Sequence, residues 1–200
     1  MAIDGVETVG EDFSETDLHE QQWEQRTFTG CDFTGADLRG TTTTGCVFVD
    51  CKFTRVDLGE SVHRTSAFRN CVFDRTTLTD SEFSGCSFIG STFIDVRFRP
   101  FTVRDSDFTL VSLTRAALTK TTLRGLRFRE ANLIEADLRE ADLREVDLTG
   151  ARLAGTRLEK ADLRGARLDA NGLVAATLRG AKVDLDTAIA FAAAHGLEIS

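Results

Sequence analysis

The sequence predicts an all-β solenoid: a four-sided β-helix of about 20 residues per coil, followed by a short C-terminal α-helix. Three observations lead there. Stepping by five from Phe13 reaches Val183 without an insertion, and the 35 positions visited hold 13 Phe, 17 Leu and five others. A period of twenty lies above it, in the columns Phe13, Phe33, Phe53, Phe73, Phe93; Phe28, Phe48, Phe68, Phe88, Phe108, Phe128; and Leu18, Leu38, Leu58, Leu78. Finally, a step of five turns through about 140° on a helix and reverses the face of a flat strand, so neither gathers the leucines of "EADLREADLREVDLTG" (135–150) in one core. A backbone that turns by about 90° after each pentapeptide does, with laps stacked about 4.8 Å apart. Each buried Leu or Phe anchor then contributes roughly 1.5–3 kcal/mol.

The elements follow in order. Residues 1–12 are polar and read as an N-terminal tail or cap. The coil spans 13–183. One of its four columns holds every exception to Phe and Leu: Trp23, Thr43, His63, Val103 and Val183. The position two before each anchor favours small residues, and all five cysteines (Cys31, Cys46, Cys51, Cys71, Cys86) fall there, which explains them as core packing. Cys31, Cys51 and Cys71 share a column, a poor tetrahedral cage for zinc. Gly or a polar residue often sits two places after the anchor. Pro100 cannot donate to a ladder, and Phe101 occupies a place where small residues are usual, so this lap is expected to be distorted.

Residues 184–200 form the last element. "DLDTAIAFAAAHGLEI" reads as a helix with an acidic start, an alanine-rich body and Gly196 as its stop. Leu185, Ala188, Ile189 and Ala192 make one apolar stripe, while Phe191 and Ala194 lie around the other side. One face can cap the coil. The other implies a two-fold homodimer through the C-terminal end, with Leu185, Ala188, Ile189, Phe191 and Ala192 as the dimerisation residues.

Composition narrows the function. With 42% hydrophobic residues and one proline the chain reads as a single ordered domain. It has no apolar run long enough to cross a membrane and no basic start leading into an apolar stretch, so a cytoplasmic location with reduced thiols is expected. A net charge of -8 opposes direct, sequence-independent binding of nucleic acid and favours a basic partner. Residues 1–100 hold 17 acids against 9 bases, residues 101–200 hold 15 of each. There is no coherent nucleophile, base and orienting acid, no G-x-G-x-x-G and no P-loop. Neither an enzyme nor a cofactor or metal site is expected.

The register "ADLREADLREVDLTGARLAG" resembles the pentapeptide repeat proteins over 13–183, which implies a right-handed quadrilateral β-helix. "QQW" (21–23), "SAFRNCVF" (66–73), "RPFTVRDSDFTL" (99–110) and "AFAAAHGL" (190–197) are similar to the mycobacterial fluoroquinolone-resistance members of that family. The resemblance implies a dimeric DNA mimic that binds DNA gyrase, modulates or inhibits it, and protects it from fluoroquinolones. Candidate contacts on acidic faces are Asp37, Asp57, Asp107, Asp137, Asp142, Asp147 and Asp162. Asp17, Asp37 and Asp57 form one outward column, Asp142 and Asp162 part of another, and Asp107 and Asp147 share a third. Arg139 and Arg144 stand ready to offset some of them.

Charge density limits the mimicry. A coil about 40 Å long with this net charge carries one excess charge per roughly 5 Å, against one per about 1.7 Å in duplex DNA. The imitation must therefore lie in shape and locally acidic faces. Plasmid-borne quinolone-resistance members typically project loops from the coil, whereas this chain keeps phase from 13 to 183, so contacts must come from coil faces or ends. The alternative is a structural scaffold that binds another protein partner through the same coil.

Overall fold

In a computed structural model, residues 6–98 and 100–198 are described. The chain divides into two compact units, residues 1–111 and 112–200.

The first unit is built from three parallel sheets and a fourth side of single bridges. Glu7–Val9, Thr27–Thr29, Val47–Val49 and Ala67–Arg69 form a four-stranded sheet; Gln22–Glu24, Thr42–Thr44, Val62–Arg64, Ser81–Ser84 and Phe101–Arg104 a five-stranded one; Lys52–Thr54, Val72–Asp74 and Thr92–Ile94 a three-stranded one. Asp17, Asp37, Asp57, Thr77 and Arg97 are the bridged residues of the remaining side. Every pairing joins residues twenty apart, such as Phe28 with Phe48 and Phe48 with Phe68, so one coil takes 20 residues. The aromatic columns stack face to face. Phe48 and Phe68 lie 4.8 Å apart at 3°, Phe53 and Phe73 4.9 Å apart at 7°. Rings of neighbouring columns meet edge to face, as Phe53 and Phe68 do at 5.9 Å and 68°, so both favourable aromatic geometries fill one core.

The corners explain the residue two places after the anchor. It takes a left-handed backbone: φ is 72° at Gly35, and the Ala36 N–H donates to the Phe33 carbonyl at 2.9 Å, a type II turn. Glycine meets this demand without strain, but many corners use other residues, including Thr65 at φ 45°.

The ladder begins ahead of Phe13. Glu7–Val9 pairs with Thr27–Thr29, and the Val6 carbonyl accepts from the Thr27 N–H at 2.8 Å, so part of the segment expected as a tail is already coil. The rest of that tail, residues 1–5, lies outside the described residues, as does Arg99 beside Pro100. The lap after Pro100 keeps register, Phe101 pairing with Ser81 and Val103 with Phe83. Phe101 stays half-buried, its ring 5.4 Å from that of Phe98.

The second unit repeats the plan with leucine anchors. Ser112, Asn132 and Arg152 bridge in sequence, as do Ala117, Asp137 and Arg157; Thr122, Asp142 and Asp162; and Arg127, Asp147 and Arg167. Leu113 through Leu163 are buried at every anchor but one, which is Phe128 and equally buried. Two helices close the unit. The short α1, Ala170–Leu173, replaces one corner and takes up one residue there only: the Gly155 N–H reaches Ala175, twenty on, where Gly35 reaches Thr54, nineteen on, and Leu158 again reaches Thr177, nineteen on. Leu173 is buried nonetheless. The longer α2 spans Leu185–Ala194.

Candidate functional site: acidic coil faces and the helix at the C-terminal end

Residues flanking an anchor point outward together, because strand side chains alternate. An Asp before a Leu and an Arg after it therefore share one face. The triplet Asp-Leu-Arg occurs at 37–39, 137–139, 142–144 and 162–164, and each time the guanidinium grips the carboxylate with two hydrogen bonds. In the second unit these are short, Nε to Oδ1 2.8, 2.7 and 2.8 Å and Nη2 to Oδ2 2.6 Å at all three sites. The Arg fork holds Asp137 and Asp162 down to about 2, and Asp142 below the usual carboxylate range.

Asp147 is largely buried. Burial alone would raise its pKa, but hydrogen bonds from the Thr149 backbone (3.1 Å) and hydroxyl (2.7 Å) and from Arg129 Nε (2.7 Å) outweigh it and bring it to about 2. Asp107 likewise accepts from the Thr109 N–H and hydroxyl, at 2.9 and 2.6 Å.

The first unit presents its acids differently. Asp37 is gripped by Arg39, yet Asp57 on the next rung accepts from the Gly59 N–H at 2.9 Å and meets Arg39 Nε only at 3.8 Å, with its side chain 44% exposed. Asp17, on the rung before, pairs with His19, whose pKa that carboxylate raises. The lap from 6 to 25 carries seven acids and no Lys or Arg, all seven exposed: Glu7, Glu11, Asp12, Glu15, Asp17, Glu20 and Glu24. The structure thus separates the candidate acids into those held by a nearby Arg or Thr side chain (Asp37, Asp107, Asp137, Asp142, Asp147, Asp162) and Asp57, which shares the column of Asp17 on the acid-rich first lap. The sequence held a signal for part of this division: the Asp-Leu-Arg triplet marks Asp37, Asp137, Asp142 and Asp162, but not Asp147, whose partner Arg129 comes from the preceding lap.

The helix α2 divides its apolar residues differently from the predicted stripe, since Ala188 reaches the coil side and Ala192 is half-buried with Phe191. Thr187 and Phe191 face the last coil and, with Leu173, Leu178, Ala181, Val183 and Ala188, line an open apolar pocket of about 170 Å³. Leu185 and Ile189 are turned to solvent, 74% and 42% exposed. Of the residues expected at a dimer contact, Leu185, Ala188 and Ile189 are exposed, whereas Phe191 and Ala192 are half-buried. Among the described residues no group of three or more His, Cys, Asp and Glu is placed to hold a metal, and no helix is long and apolar enough to cross a membrane.

A parallel coil of four five-residue sides, with Phe or Leu turned inward at each, defines a class. The chain belongs to the pentapeptide repeat proteins: the family profile described as "Pentapeptide repeat region" matches residues 21–92 and 76–158, and that described as "Pentapeptide repeats (8 copies)" matches 147–183. Among solved structures the fold is similar to that of QnrB1, a plasmid-mediated fluoroquinolone resistance protein. The full-length form matches at a TM-score of 0.83 and 22% identity over 96% of this chain and 97% of that one, and a trypsin-treated variant at 0.84 and 23% over 98% of each. HetL, a pentapeptide repeat protein involved in heterocyst differentiation regulation from the cyanobacterium Nostoc sp. strain PCC 7120, matches at 0.50 and 22% identity over 88% of this chain and 84% of that one. No curated protein matches this chain in sequence.

Proposed function

We propose that this protein is a DNA-mimicking ligand of DNA gyrase that competes with a DNA segment for a basic surface, modulates or inhibits the enzyme, and shields it from fluoroquinolones. The reading draws on the sequence resemblance to the mycobacterial fluoroquinolone-resistance protein MfpA and on the likeness in fold to QnrB1, a fluoroquinolone resistance protein. The structural observation that carries it is the charge of the first unit: Asp17, Asp37 and Asp57 on successive rungs, beside a lap with seven exposed acids and no Lys or Arg. Asp57, whose side chain is 44% exposed, and the exposed acids of that lap, rather than the Arg-gripped aspartates of either unit, are the ones offered to a cationic partner, since a carboxylate already bound to a guanidinium gains little from a second. We further propose that two copies pair through the exposed stripe of α2.

The test is direct. Purified protein added to gyrase supercoiling and quinolone-cleavage assays should reduce both DNA supercoiling and drug-stabilised cleavage at micromolar concentration, with less effect at higher salt. No effect at tens of micromolar from a folded protein would favour a scaffold for another partner.

A further inference from the structure

We propose that the buried column Cys31–Cys51–Cys71 is a linear two-coordinate site for a soft, closed-shell cation of the copper(I) class, the ion lying between sulfurs of adjacent rungs. The proposal is independent of the gyrase reading. The residues that follow these cysteines, Asp32, Lys52 and Val72, are paired rung to rung, so the three thiols occupy equivalent places twenty residues apart. Their orientation is also the same. Each Sγ contacts the carbonyls 23 and two residues back: Thr8 and Thr29 at 3.6 and 3.7 Å for Cys31, Phe28 and Val49 at 3.4 and 3.3 Å for Cys51, Phe48 and Arg69 at 3.5 and 3.4 Å for Cys71.

Sulfurs so repeated are separated by the rung spacing of about 4.8 Å. Two metal–thiolate bonds of about 2.3 Å placed end to end span about 4.6 Å. A straight column is useless to zinc, which wants four ligands at tetrahedral angles, but it matches an ion that takes two sulfur ligands in line, one thiolate and one thiol, and sulfur ligands select soft ions. The core is apolar, so a neutral complex is favoured. A monovalent ion gives one when a single thiol proton is released to solvent and the second sulfur stays protonated; one metal–thiolate bond replaces one S–H bond, the other sulfur binds as a thiol, and no oxidation state changes.

The ends of the column suit this role. Ser91 closes it, its Oγ accepting from the Cys71 N–H at 2.9 Å, whereas Glu11 stands at the other end, exposed on the first lap. An entering cation thus meets a carboxylate before the first thiol. The remaining cysteines, Cys46 and Cys86, are separated by Ser66 in their own column and have no thiol on an adjacent rung, which makes them internal controls.

The experiment is a titration of the full chain, folded and free of thiol reductant, with silver(I) as a redox-inert probe. Calorimetry should find one tightly held ion per chain with about one proton released, the melting temperature should rise because the ion binds the native state, and X-ray absorption should show two sulfur neighbours. Cys51→Ser, which removes the sulfur common to both gaps, should weaken binding by on the order of 100-fold or more, while Cys46→Ser and Cys86→Ser bind as the parent does. Equal binding by Cys51→Ser and the parent, or binding accompanied by a falling melting temperature, overturns the proposal. Should Cys51→Ser fail to fold, the sulfur count on the parent decides alone, and any number other than two rejects the site.

Discussion

At the scale of single residues, the column of irregular anchors shows how a polar group survives in this core. His63 is buried between Thr43 and Ser61: Nδ1 shares a hydrogen bond with the Thr43 hydroxyl at 2.8 Å and Nε2 with the Ser61 hydroxyl at 2.9 Å. Ser61 already donates to the Leu58 carbonyl at 2.6 Å, so Nε2 carries the proton, and Nδ1 is left to accept from the Thr43 hydroxyl, which also lies 2.9 Å from the Ser66 hydroxyl. Both nitrogens are satisfied in the neutral ring, which stacks on Phe83 at 4.6 Å. Burial pushes the pKa down to about 3. Because the unfolded chain takes up this proton near pH 6.5 and the native one does not, His63 contributes a stability that is full above pH 6.5 and lost as pH falls toward 3. Denaturant unfolding of the parent should therefore show stability declining from pH 6.5 to 4, and His63→Phe should remove most of that slope. Below pH 4 a second decline, from the Arg-gripped aspartates near 2, should persist in both. The corner at Thr65 supplies another prediction. A β-branched side chain at φ 45° is strained, so Thr65→Gly should stabilise the fold by up to about 1 kcal/mol despite the added freedom of the unfolded chain, read as a higher melting temperature.

At the scale of the element, each side of the coil is too short to be stable alone, and stability arises only from stacking. Removing one ring from an inner column is accordingly costly. Phe68 touches Phe48 and Phe88 above and below and Phe53, Phe73 and Phe83 across the core, so Phe68→Ala should cost about 3–5 kcal/mol in chemical denaturation, far more than the same change at half-buried Phe101. The anchors, the twenty-residue lap and α2 were legible because periodicity of five is written directly in Phe and Leu. The left-handed corner was visible only as a preference for Gly or polar residues, since its cause is backbone geometry. The helix α1 was not legible: Leu168, Leu173 and Leu178 keep their spacing through it, so no change of phase betrays the corner that it replaces. Nor was the start of the coil, because Glu7–Val9 has no aromatic anchor, only Thr8. The Arg-gripped acids Asp37, Asp137, Asp142 and Asp162 were legible in principle, once side-chain alternation is applied to Asp-Leu-Arg, whereas the partner of Asp147 lies a lap away and is not written beside it.

At the scale of the whole molecule, net charge alone misleads, because the surplus of acids belongs to the first hundred residues and the later ones balance. The exposed stripe of α2 adds the expectation of a dimer; light scattering should give twice the chain mass for the parent and a single mass for Ile189→Glu, with circular dichroism unchanged. The most direct test of the account compares gyrase binding by two double variants of equal charge change: Asp17→Lys with Asp57→Lys, and Asp142→Lys with Asp162→Lys, each confirmed as folded. If the first unit carries the docking face, the former should lose affinity by on the order of 100-fold while the latter changes little, consistent with a few kcal/mol from close charge pairs. Equal losses, or a loss confined to the second pair, would contradict it.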